Sequence, residues 1–96
     1  MNAASLNADF QRKRIVVDGS WLSVNERTGL AWVCLDEGNQ LVHEEAISGP
    51  LMLSPQQTEA AAVVQALRWA YKQGIKSLLL QTDCLVLVVG TASREL

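Results

Sequence analysis

The 96 residues, 49% apolar and 19% charged, suffice for one domain with a modest core and exclude a disordered tail. A net charge of −2 excludes the strongly basic clamp that grips phosphates nonspecifically, but not a nuclease whose cations supply positive charge locally. No apolar run approaches the roughly 20 residues that cross a bilayer as a helix.

Residues 1–13 read as a short N-terminal extension, and 14–96 as the domain. The opening "MNAASLNADFQRKR" lacks the apolar stretch of a secretory signal, which points to an intracellular protein. Its "RKR", Arg12 to Arg14, is a lone basic tripeptide at the start of a strand and is expected to be a solvated edge. A first strand spans 14–17 and runs into Asp18 and Gly19. That dipeptide is common turn chemistry, but a strand end can also hold a carboxylate out as a metal ligand.

The polar "SVNERTG" leads into a second strand, "GLAWVCL" at 29–35, and "DEGN" supplies a turn into a third, "QLVHEEAI" at 40–47. So short a turn implies an antiparallel hairpin. His43, in the third strand, is expected to be exposed. Cys34 and Cys84 are far apart and fit no metal spacing, as expected of reduced thiols.

"SPQQTEAAAVVQALRWAYKQG" is the clearest helix. Ser54 suits the N-cap, Pro55 the first helical position, and Gln57 completes a capping box. Gly74 closes the helix as its C′ residue. At about 100° per residue, Ala61, Gln65, Arg68 and Lys72 share a stripe expected to face water, opposite Val63, Leu67 and Ala70, with Ala66 to one side. Glu59 falls on the apolar side.

A fourth strand follows in "KSLLLQTD", whose unalternating leucines suit a strand covered on both faces. Strand, helix and strand form a right-handed crossover, which makes the fourth strand parallel to another in the same sheet. The tail "DCLVLVVGTASREL" starts a further helix or strand that periodicity cannot assign.

Three carboxylates want explaining. Asp18 and Asp83 end strands that the crossover makes parallel, on the side where open α/β sheets place ligands. Each has an alternative: Asp18 a turn, Asp83 an N-cap for the next segment. Glu59 is the fifth helical residue, beyond the capping box and most of the helix dipole. On a sheet-facing stripe it costs several kcal/mol to bury unpaired, unless it snorkels past Ala60. Taken together the three converge on one place, where like charges raise each other's pKa unless a divalent cation neutralises them. Oxygen-only ligands favour Mg²⁺ or Mn²⁺ over zinc.

With "VDGSW", "GLAWVCL", "SPQQTEAAAVVQALRWA" and "QTDCLVLV" in this order across about residues 14 to 90, the chain resembles the type 1 ribonuclease H family. The likeness is strongest to its plant reverse-transcriptase-like branch, found in retroelement polyproteins and their host relatives. The resemblance implies an α/β ribonuclease H-like fold, with strands 1–3 antiparallel and strand 4 parallel to strand 1. It makes Asp18, Glu59 and Asp83 the catalytic metal ligands. Ser20 stands where related proofreading exonucleases carry a second acidic residue, and integrases end their trio with glutamate, so the order Asp, Glu, Asp favours the hybrid-cleaving branch.

The implied reaction is hydrolysis of the RNA strand of an RNA–DNA hybrid with two Mg²⁺ or Mn²⁺ ions roughly 4 Å apart. Asp18 bridges both ions, Glu59 also lies near the RNA 2′-hydroxyl, and Gly19 and Ser20 approach the phosphate. The family's fourth carboxylate comes late, and Glu95 arrives too early for it, so the resemblance implies a domain truncated after the third carboxylate, with impaired turnover. The histidine loop of some members is also absent. The alternatives are a nucleic-acid-binding module without turnover, and a structural remnant that self-associates through an exposed sheet edge or its apolar tail.

Overall fold

The computed structural model describes residues 12–83 and the backbone of 86–90. Five strands, β1 (Lys13–Ser20), β2 (Arg27–Leu35), β3 (Leu41–Leu51), β4 (Ser77–Gln81) and β5 (Val86–Gly90), form one sheet ordered β3-β2-β1-β4-β5. A helix, α1 (Pro55–Lys72), crosses between β3 and β4. β1 pairs antiparallel with β2, and β2 with β3. β4 lies parallel to β1, the pairing the crossover predicts. The tail's undecided run is a strand, β5, antiparallel to β4. No helix of the described residues is long and apolar enough to cross a membrane.

Alternation decides which side chains enter the core. Ile15 and Val17 of β1, Leu30, Trp32 and Cys34 of β2, and Leu78 and Leu80 of β4 are buried beneath Ala62, Ala66 and Ala70 of α1. The helix therefore meets the sheet through a ridge of small residues at four-residue spacing that begins at Thr58. This corrects part of the expected facing: Ala66 and Ala70 are buried on the apolar side as expected, but Ala61 packs against the core, while Val63 and Leu67 flank the ridge half-buried. Alanines let the backbones approach closely, so larger apolar residues fit only at the sides. Arg68 and Lys72 are exposed as expected. In β4 burial alternates, with Leu79 half-buried on the face opposite α1. The leucine run is thus covered by the helix on one face.

Local chemistry sets the ends. Ser54 is extended and its Oγ accepts the Gln57 N–H at 3.1 Å. The return arm of the capping box shifts by one residue, since Gln57 Oε1 accepts from the Leu53 N–H at 2.8 Å. At the other end Gly74 adopts φ +76°, and Ile75 N donates to Ala70 O while Gly74 N donates to Tyr71 O. This is the Schellman closure its position predicts. In the β2–β3 turn Asp36 Oδ1 accepts from the Gly38 and Gln40 N–H groups, and Asn39, at φ 62°, takes the left-handed position.

Arg12, exposed, precedes β1, and Lys13 and Arg14, half-buried, open it. Arg14 Nη2 donates to Asn39 Oδ1 at 2.8 Å, and the Arg12 N–H donates to Glu37 Oε2 at 3.3 Å. The Arg14 guanidinium and the Arg12 backbone thus brace the β2–β3 turn. Cys34 is a free, buried thiol whose pKa burial pushes up; Cys84 lies outside the described residues, as does Glu95.

Candidate metal centre

β1 runs three residues beyond the predicted end, so Asp18 lies within the strand opposite Ala31, with Gly19 and Ser20 paired to Leu30 and Gly29. The turn reading of Asp18 and Gly19 therefore fails. Alternation turns Asp18 to the opposite side from Val17, where it is exposed. Gly19 has a packing reason: a Cβ there would come within 3.0 Å of Thr58 Cγ2 and 3.1 Å of the Thr58 carbonyl oxygen. Its bare Cα lets the end of β1 press against the first turns of α1. Thr58 is wholly buried, with Oγ1 donating to Ser54 O at 3.0 Å, and Glu59 follows it on the helix.

The parallel register places the third carboxylate. Val16 stands opposite Gln81, and two residues further along each chain are Asp18 and Asp83. The next described element after Asp83 is β5, a strand, so Asp83 occupies a strand-to-strand connection and does not open a helix. One carboxylate oxygen from each of Asp18, Glu59 and Asp83 lies within 4.8 Å of the others.

Electrostatics mark Glu59 as the strained member. Its Oε1 is shielded from solvent and has no hydrogen-bond partner, so this oxygen has not snorkelled to water. Burial pushes the Glu59 pKa up, and the negative charges of Asp83 and then Asp18 raise it further. A shielded, partnerless carboxylate oxygen facing two other carboxylates fits a hard cation with oxygen ligands. Ser20, exposed and two residues beyond Asp18, projects from the same face of β1.

His43 departs from expectation. It is half-buried, its ring stacks on Trp69 of α1 at 4.4 Å and 19°, and its Nε2 lies 2.9 Å from Glu45 Oε1. The signal for this was the parity of β3, which puts His43, Glu45 and Ile47 on one face.

None of the curated proteins matches the chain. Among solved structures, the fold is similar to LC11-RNase H1, isolated from compost by a metagenomic approach, with a TM-score of 0.67 and 19% identity. The match covers 76% of this chain and 54% of that one, so the chain spans about half the length of its structural relative. The strand order, the parallel β1–β4 pair and the crossover helix are those of a ribonuclease H fold. Joined to the pattern of the reverse transcriptase-like family, which matches residues 16–95, these features establish that the chain belongs to that family.

Proposed function

We propose that Asp18, Glu59 and Asp83 hold divalent cations, Mg²⁺ or Mn²⁺, and that the chain is a nuclease acting on the RNA strand of RNA–DNA hybrids. The observation that carries this reading is the convergence of three carboxylate oxygens within 4.8 Å around a Glu59 oxygen that nothing else satisfies. Membership of the reverse transcriptase-like family and the ribonuclease H fold supply its chemical direction. The plant retroelement branch is part of the same proposal.

Bound divalent cations stabilise charge on phosphodiester oxygens and lower the pKa of water. The chain's own groups do the rest. Asp18, on the central strand, would serve both cations, and Glu59 and Asp83 would each hold one. A Glu59 oxygen accepts a hydrogen bond from the 2′-hydroxyl, the group that separates RNA from DNA. The Ser20 hydroxyl, on the Asp18 side of β1, donates to a phosphate oxygen, and the backbone around Gly19 borders the same phosphate.

The test is a labelled hybrid duplex incubated with purified chain in Mg²⁺ and in Mn²⁺. Cleavage confined to the RNA strand is expected. Asp18→Asn should lower it by about a thousandfold, since losing several kcal/mol of transition-state stabilisation, at 1.36 kcal/mol per decade, amounts to that. Cleavage that survives this substitution would overturn the assignment. Metal-dependent hybrid binding without cleavage would make the chain a binding module.

A further inference from the structure

α1 carries a second apolar stripe that the sheet does not use. The ridge from Thr58 through Ala62 and Ala66 to Ala70 meets the core, where α1 packs on β1 and β2. Ala60, Val64, Leu67 and Tyr71 recur at spacings of four, three and four, the pattern of a seam between paired helices. At about 100° per residue, Val64 lies about 160° round the helix from both Ala62 and Ala66. Val64 is 47% and Tyr71 58% exposed, Ala60 is exposed, and Leu67 is half-buried. A surface helix ordinarily turns charged and polar residues away from its buried face, whereas α1 presents an apolar seam about 17 Å long there.

The stripe is self-complementary when turned end for end. About a two-fold axis at the level of residues 65 and 66, Ala60 meets the second copy's Tyr71, and Val64 meets its Leu67. The smallest residue of the stripe thus receives the largest. Such an axis reverses the second helix and brings the same edge of each together. Arg68 and Ala61, seven residues apart, share that edge, so each Arg68 falls beside the second copy's Ala61 and not beside another cation. The reversed helices also set each positive end of a helix dipole beside a negative one. A parallel seam would instead oppose Tyr71 to Tyr71 and bring like helix ends together.

We propose that α1 pairs antiparallel with α1 of a second copy of this chain, through Ala60, Val64, Leu67 and Tyr71. One seam of this length buries less than the roughly 800 Å² per chain of a standard interface, so the dimer is weak and reversible, with a dissociation constant on the order of tens of micromolar.

The test is sedimentation equilibrium of the full chain in EDTA, where the parent chain is expected to dimerise. Val64→Glu, at an exposed position, should weaken dimerisation by about tenfold or more, since the seam would bury an unpaired charge, and should leave the far-UV circular dichroism spectrum in place. Ala60→Glu and Tyr71→Lys should each weaken it alone, while an equimolar mixture of the two should recover it. Only the antiparallel register sets residue 60 of one chain against residue 71 of the other. A chain still monomeric at about 1 mM overturns the proposal. So does a dimer that Val64→Glu leaves intact, which would place the contact elsewhere, as at the exposed edge of β3. A mixture that associates no more tightly than its components overturns it too.

Discussion

Glu59 concentrates the energetic tension of the molecule in one side chain. Because its folded pKa is raised, the folded chain binds this proton more tightly than the unfolded chain does. Ionised Glu59 therefore opposes folding at neutral pH without metal. That opposition fades as pH falls through the folded pKa and is gone below the unfolded one. Glu59→Gln is expected to melt higher than the parent at pH 7 in EDTA, with the difference shrinking on acidification; an unchanged difference at low pH would count against the argument. Asp83→Asn should also raise the metal-free melting temperature by removing one of the charges that burden Glu59. It should also lose the proposed stabilisation by Mg²⁺, which for a site bound only in the native state would reach about 2.7 kcal/mol at one hundred times the dissociation constant. A full Mg²⁺ response in that variant would show that Asp83 is no ligand.

At the scale of elements, the contact between β1 and α1 sets the distance between Asp18 and Glu59. A methyl group at Gly19 would strike the Thr58 side chain and backbone carbonyl, and the backbone cannot yield as a flexible side chain can. Gly19→Ala should cost about 1–3 kcal/mol in urea unfolding, the usual range for overpacking a tight contact. It should also weaken Mg²⁺-induced stabilisation, since the helix must move away from the strand that carries Asp18. Loss of stability with an intact metal response would mean that the contact supports the fold alone.

At the scale of the molecule, α1 covers one face of the sheet, and among the described residues the buried apolar side chains point into that layer. Leu80 is wholly buried there, whereas its neighbour Leu79 is half-buried on the opposite face. Leu80→Ala should therefore cost about 2–5 kcal/mol, in the range for large-to-small core substitutions. Leu79→Ala should cost distinctly less. Equal losses in denaturant titrations of the two variants would mean that Leu79 is buried as deeply as Leu80.

Local physics was enough for much of this. The Ser54 cap, Pro55 and the Gly74 closure could be read because caps depend on residues within one turn. The parallel β1–β4 pair followed from a strand-helix-strand order with one favoured hand. With that pair, the meeting of Asp18, Glu59 and Asp83 was legible in the residue order. What the sequence could not decide depended on partners distant along the chain. Whether Asp18 and Gly19 turn or continue as strand depended on β2 offering Ala31 and Leu30 as partners, a long-range competition that turn propensity does not contain. The facing of α1 depended on how closely its alanines could approach the sheet, and amphipathic spacing mistook half-buried flanks for the centre. His43 looked like an exposed strand residue until tertiary packing brought Trp69, 26 residues away, onto its ring. Periodicity and capping act over a few residues and were readable in advance, whereas register, close approach and stacking need surfaces that exist only after the chain has folded.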